Sequence, residues 1–154
     1  MRIPGHASVE ILETRAPSLS NHLALIPLDR GLWEVGESVV ADGSAAAQLW
    51  AELRDIPSIE WVTAGKLLAR KRPRLIPVYD RVVRQVLGRS DTDNWWIPLR
   101  ELLVIHPELV RRLEALKRQA VVPHQVSLLR ILDVALWMSG GASGGEGSVE
   151  EPVT

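Results

Sequence analysis

The residues with the clearest potential for chemistry lie in residues 66–89, where one acid is surrounded by bases. This segment carries eight Lys or Arg residues and a single carboxylate, Asp80, so that its local charge is +7 while the rest of the chain is acidic. A concentrated positive patch is typical of a surface that faces a polyanion such as a nucleic acid. A solvated helical face is the alternative interpretation of the same charge run.

Asp80 has two interpretations of its own. A carboxylate in such a place can stabilise a developing positive charge and orient or deprotonate a water molecule. An acid at the start of a helix also accepts hydrogen bonds from first-turn N–H groups, here those near Val82 and Val83, and so acts as an N-cap. The position of Asp80 alone does not separate catalysis from capping.

The elements that must position Asp80 are helices, because apolar residues repeat with a period near 3.6 and no sustained polar/apolar alternation indicates a sheet. We therefore expect an all-α protein. The pattern predicts helices over residues 6–14, 18–26, 44–55, 61–70, 80–88, 95–105, 107–118 and 124–138. Residues 1–138 are expected to form a single helical domain, and residues 139–154, rich in Gly, Ser and Glu, a flexible tail.

Two of the predicted helices carry the basic residues on defined faces. Residues 56–60 form a tight hairpin between helices 44–55 and 61–70, and helical spacing places Thr63, Lys66 and Arg70 on one stripe of the second helix. In the next helix, Arg81 and Arg84 lie on the polar side. Two basic faces therefore flank the single carboxylate.

The hairpin and the acid together resemble a known signature. The run Ile-Pro-Ser-Ile-Glu-Trp-Val-Thr-Ala at residues 56–64, followed by Pro-Val-Tyr-Asp at 77–80, is similar to the helix-hairpin-helix and Gly/Pro-plus-Asp signature of DNA glycosylases. The resemblance implies a glycosylase-like helical fold, DNA as the partner, and Asp80 as the catalytic residue of a monofunctional base-excision enzyme. Anchors for the nucleic-acid backbone are expected at the hairpin and in the basic segment: Ser58, Lys66, Arg70, Lys71, Arg72, Arg74, Arg81 and Arg84.

The chain departs from that signature at several positions, among them Val82 and Gln85, where the superfamily often has His and Arg. Ser58 and Glu60 replace the two hairpin glycines, and Glu60 brings a negative charge close to the expected phosphate. Members of the superfamily that also cleave the strand carry a lysine where this chain has Val62, so lyase chemistry is not expected.

A wider resemblance covers up to the whole chain. Residues 61–73, 77–84 and 132–138 are similar to a bacterial family known only as a domain of unknown function, which implies further helices upstream of Met1. That likeness supplies no activity, so two other functions stay open. One is a nucleic-acid-binding module without catalysis, in which Asp80 is only a cap. The other is a protein-interaction domain that docks an acidic partner on its basic helices.

Other residues limit the remaining classes of function. The chain has no cysteine, which excludes disulfides, thiolate zinc sites and a cysteine nucleophile, and its four histidines show no ligand spacing, so we expect neither metal nor cofactor. No apolar run approaches the ~20 residues of a membrane span, which predicts a cytoplasmic protein.

Two pairs of side chains have structural interpretations. Arg130 and Asp133 are expected to pair with each other. At least one of Trp95 and Trp96 is expected in the core, the alternative being a stacking platform for bases.

Overall fold

The computed structural model describes residues 2–90 and 95–142, and its regular structure over these ranges is helical without a β-strand. The all-α prediction is therefore confirmed. The α-helices of the described residues are α1 (Gly5–Val9), α2 (Ala16–Leu25), α3 (Ala45–Arg54), α4 (Trp61–Lys71), α5 (Arg81–Val86), α6 (Trp96–Ile105), α7 (Pro107–Gln119) and α8 (Leu128–Ala142). Helix α1 continues into a π-helical turn, Glu10–Thr14, and the short 3₁₀ turns Leu32–Glu34 and Glu37–Val39 precede α3.

Helices α3 and α4 are in contact and are joined by residues 55–60. Ser44 begins α3, because its hydroxyl oxygen accepts a hydrogen bond from the N–H of Ala47 at 3.1 Å. Ile56 and Ile59 of the connection are buried, as is Leu68 of α4, so the connection is fixed to the core at two points. The two helices pack against each other along their apolar faces.

A buried segment without regular secondary structure carries the chain from α4 to α5. Residues 75–79 are all buried, and Asp80 follows them directly at the start of α5. Tyr79 packs against Trp95 with ring centroids 5.9 Å apart, and Trp50 meets Trp96 edge to face at 6.0 Å. Since Trp95 and Trp96 are both buried, the core interpretation holds for both, and the alternative of a stacking platform is wrong for this pair.

Helix α8 begins later and ends later than the apolar pattern predicts. The hydroxyl of Ser127 accepts from the N–H of Arg130 at 3.2 Å and donates to the carbonyl of Pro73, which starts the helix at Leu128 rather than at residue 124. The helix then continues to Ala142, so residues 139–142 of the predicted flexible tail are helical. Residues 143–154 of that predicted tail lie outside the described residues.

The last turn of α8 approaches α5 closely at Gly140. A Cβ atom on Gly140 would lie 2.7 Å from Val82 Cγ1 and 2.7 Å from Val86 Cγ2, which is closer than two carbon atoms can pack. Glycine therefore belongs to the packed seam between α5 and α8 at this position, whereas composition alone assigns it to a flexible segment.

Candidate functional site

Asp80 caps helix α5, as one of the two sequence interpretations requires. Its carboxylate oxygen Oδ1 accepts hydrogen bonds from the N–H groups of Val82 and Val83, both at 3.1 Å. Asp80 itself has an extended backbone, follows the buried segment 75–79 directly, and has a side chain that is 15% exposed. Capping thus occupies one oxygen, while the other remains on the side of a surface cleft.

Lys66 of α4 is the partner of the second oxygen. Its Nζ atom lies 3.2 Å from Asp80 Oδ2, which joins the predicted basic stripe of α4 to the start of α5. An ion pair of this kind is charge-assisted and holds both side chains in the wall of the cleft. Both carboxylate oxygens of Asp80 therefore have a structural role. A ligand reaches Oδ2 only if Lys66 moves away or if Lys66 and Asp80 bind the ligand together.

A second acid, Asp133 of α8, lies beside Asp80. Asp133 is buried, with only 6% of its surface exposed. Its Oδ2 atom accepts the N–H of Val78 at 3.0 Å and lies 3.7 Å from Nη1 of Arg130, so the predicted pairing of Arg130 with Asp133 is present as a long contact. Its Oδ1 atom is buried without a hydrogen-bond partner among the described residues.

The surroundings of Asp133 perturb its ionisation. Burial raises the pKa of Asp133 to about 7, because a carboxylate loses its hydration in this place. The N–H of Val78 and the charge of Arg130 act to lower that pKa, whereas the negative charge of Asp80 acts to raise it further. Sequence reasoning missed Asp133 as a member of the site. The signal that could have found it is its place as an isolated acid in an almost wholly apolar helix.

These groups line one hollow between α4, α5 and α8, which we call the Asp80 cleft. It encloses about 180 Å³, and its wall includes Trp137, whose side chain is 55% exposed. A shallower outer hollow adjoins the cleft, shares Lys66 and Asp80 with it, and reaches the first turn of α4. The residues that line the Asp80 cleft are Lys66, Val78, Asp80, Val83, Arg130, Asp133, Val134 and Trp137.

The connection between α3 and α4 borders the outer hollow. Ser58 has a backbone φ of 73°, the left-handed conformation that glycine adopts most easily, and it is exposed. Helix α4 has no side-chain N-cap hydrogen bond at Glu60. The carboxylate of Glu60 instead lies 3.5 Å from Nη2 of Arg81, so that a base partly offsets the acid expected to oppose phosphate binding.

The structure brings together some of the sequence-predicted anchors and separates others. Lys66 borders both hollows and Arg81 borders the outer one, and Arg70, one turn beyond Lys66 on the same stripe, is exposed. The guanidinium of Arg84 lies over the ring of Trp61, 5.5 Å from its centroid. Lys71 turns to the opposite side of α4, where it lines an apolar groove beside α2.

Arg72 and Arg74 lie at the end of α4, away from the cleft-lining residues. The guanidinium of Arg72 donates to the main-chain carbonyls of Ile26 at 2.9 Å, of Lys71 at 2.8 Å, and of Leu23. These contacts tie α4 to the end of α2, so Arg72 serves the fold rather than the site. Arg74 is exposed, and its carbonyl accepts the N–H of Leu32.

The described residues were compared with the ligand groups of metal sites and with the helices that span membranes. These residues contain no group of three or more His, Cys, Asp or Glu side chains arranged to hold a metal ion. Among the helices of residues 2–90 and 95–142, none combines the length and apolarity of a membrane span.

Fold and site together define an all-helical protein in which a helix-capping acid and a buried acid share one cleft with two bases. A family model described as "Family of unknown function (DUF6308)" matches residues 1–140, and the chain belongs to this family. The expectation of an uncharacterised family is thereby confirmed. No curated protein and no solved structure matched the chain.

Proposed function

We propose that this protein binds the sugar-phosphate backbone of a nucleic acid through the connection between α3 and α4 and the adjoining basic faces of α4 and α5. The observation that carries the proposal is the conformation of Ser58, which takes the left-handed backbone at φ 73° where the resembled motif has glycine. The turn therefore adopts a conformation that glycine would favour, although Ser58 replaces it. This supports the likeness to a phosphate-binding hairpin.

The surroundings of the hairpin favour an anion. Backbone N–H groups at a helix start carry partial positive charge and bind phosphate when no side chain caps them, and α4 has no such cap. Arg81 offsets Glu60 at the edge of the turn, and the exposed Arg70 adds a positive charge further along α4, one turn beyond Lys66, which is paired with Asp80. Phosphate contacts of this type fix a protein on a nucleic acid without reading its sequence.

Base removal by Asp80 is a second candidate function, which the position of Asp80 Oδ2 in the wall of the cleft favours. Cleavage of an N-glycosidic bond passes through a sugar cation, and a carboxylate nearby can stabilise that cation and orient the attacking water. The exposed face of Trp137 offers an aromatic wall for a base taken out of the stack. Val62 stands in place of the lyase lysine, so this activity would leave the strand intact.

Backbone binding is tested by the salt dependence of affinity for a short DNA duplex. We expect the double variant Arg70→Gln, Arg81→Gln to weaken binding and to reduce the slope of log K against log salt by about one for each phosphate that is no longer neutralised. The matched control is Arg111→Gln, Arg118→Gln on α7, which removes the same charge from exposed positions elsewhere. Equal weakening by both double variants would point to net charge alone and contradict the proposed interface.

A base-release assay and the salt dependence of binding separate the other candidate functions. Asn is as good an N-cap as Asp, so Asp80→Asn removes the charge while keeping the cap of α5. Release of a base from damaged duplexes by the wild type but not by Asp80→Asn supports the enzyme, whereas inactivity of both supports the non-catalytic module. A protein-docking domain would instead show no binding of DNA or heparin that depends steeply on salt.

A further inference from the structure

Asp133 is a buried titratable group that has no role in the nucleic-acid binding or the base removal proposed above. It contacts the backbone of the segment that carries Asp80, since its Oδ2 atom accepts the N–H of Val78, two residues before Asp80. Among the described residues, the charged groups that face it are Lys66 from α4, Asp80 at the start of α5, and Arg130 from α8 itself. Each of the three helices around the Asp80 cleft therefore presents a charge to this one carboxyl group.

The charge of the cleft depends on whether Asp133 holds a proton. With Asp133 ionised, two bases and two acids face one another and the four charges cancel. With Asp133 protonated, the same four groups carry a net charge of +1, and Arg130 loses its acidic partner. A neutral carboxyl group is also a weaker acceptor than a carboxylate, so protonation weakens the hydrogen bond from Val78.

We propose that Asp133 is a positioning residue for Asp80, and that the proton it gains or loses sets the charge of the Asp80 cleft and thereby the affinity for nucleic-acid phosphate. The inference rests on the nucleic-acid binding proposed above and adds its regulation by protons. Phosphate binds more tightly when Asp133 is neutral, because the cleft then presents one more uncompensated positive charge.

The buried state of Asp133 places its titration in the neutral range. No described residue donates a hydrogen bond to its Oδ1 atom, which would favour the carboxylate, and burial raises the pKa of the group to about 7. An acid on the surface would be ionised throughout this range and could not respond. The response is therefore specific to an acid in this position.

The experiment compares the wild type with Asp133→Asn, a substitution that keeps the size of the side chain and an oxygen for the Val78 N–H while imitating the neutral form. Affinity for a duplex without terminal phosphates is measured from pH 6 to pH 8 at constant salt, because phosphodiesters do not titrate there. We expect the affinity of Asp133→Asn relative to the wild type to rise about three- to tenfold from pH 6 to pH 8. Effects of pH that the two proteins share cancel in this ratio.

A second measurement keeps the test independent of DNA binding. The amide resonance of Val78 is expected to shift with a midpoint near pH 7 in the wild type, and to stay constant in Asp133→Asn. If DNA binds at no pH while the Val78 resonance titrates in this way, the proposed function fails and the positioning by Asp133 is supported. Parallel pH profiles of DNA affinity in the two proteins, or a Val78 resonance that does not titrate, would overturn the inference.

Discussion

Replacement of Asp133 by Asn should change how the stability of the protein depends on pH. The folded state holds the proton of this carboxyl group with a pKa of about 7, against 3.8 for the unperturbed group. Between these two values the folded chain binds more protons than the unfolded chain. The free energy of unfolding contributed by Asp133 is therefore highest below about pH 4, falls as the pH rises, and levels off above about pH 7.

The magnitude follows from the size of that pKa difference. Each unit of pKa difference corresponds to about 1.4 kcal/mol. From below pH 4 to high pH, the free energy of unfolding contributed by Asp133 therefore falls by about 4 kcal/mol. Part of this loss has already occurred at pH 5, and the remaining change between pH 5 and pH 8 is about 2–3 kcal/mol. Asp133→Asn carries no charge at either pH, so its stability relative to the wild type should rise by this amount over the interval.

Urea denaturation of both proteins at pH 5, 6, 7 and 8, followed by circular dichroism, measures the difference directly. The comparison of the two proteins at each pH removes the contributions of the histidines and of the other carboxylates, which the proteins share. A constant difference in the free energy of unfolding from pH 5 to pH 8 would refute the reasoning, because it would mean that Asp133 is ionised in the folded protein throughout.

Two substitutions, each compared with a control substitution, test the local geometry by urea denaturation. Ser58→Gly should stabilise the fold by up to about 1 kcal/mol, because glycine adopts the left-handed backbone of residue 58 without strain. The control Ser38→Gly, in a 3₁₀ turn, should destabilise the fold. A loss of stability in both variants would contradict the conformation at residue 58. Arg72→Met should cost about 2 kcal/mol, because the variant cannot donate the guanidinium hydrogen bonds to main-chain carbonyls, and the exposed Arg74→Met should cost little. Equal effects at these two arginines would remove the assigned link between α2 and α4.

The sequence predicts the helices well because their determinants are local. Helix α4, expected over residues 61–70, spans Trp61–Lys71, and the turn before it coincides with the connection at residues 55–60. Asp80 also caps α5 as expected, since an N-cap depends on groups two or three residues away. Apolar periodicity, helix caps and prolines all act within a few residues, so one sequence by itself is sufficient to predict the helices.

The candidate site is harder to predict because its contacts join distant parts of the chain. Arg72 belongs to the basic run by sequence, yet its donors reach carbonyls of Leu23 and Ile26, far earlier in the chain. Asp133 looks like the partner of Arg130, yet it also accepts the N–H of Val78 from another element. The sequence shows where the arginines and the acids stand along the chain, but only the packing of the helices decides which of them face the cleft.

The glycine seam between α5 and α8 limits where the chain can be shortened. A protein that ended after Met138 would lack Gly140, which lies against Val82 and Val86, and would uncover those valines on the helix that Asp80 caps. The last turn of α8 thus covers α5 and supports the acid at its start. For expression of a trimmed form, the cut belongs after Ala142, even though the composition from Ser139 onward suggests dispensable sequence.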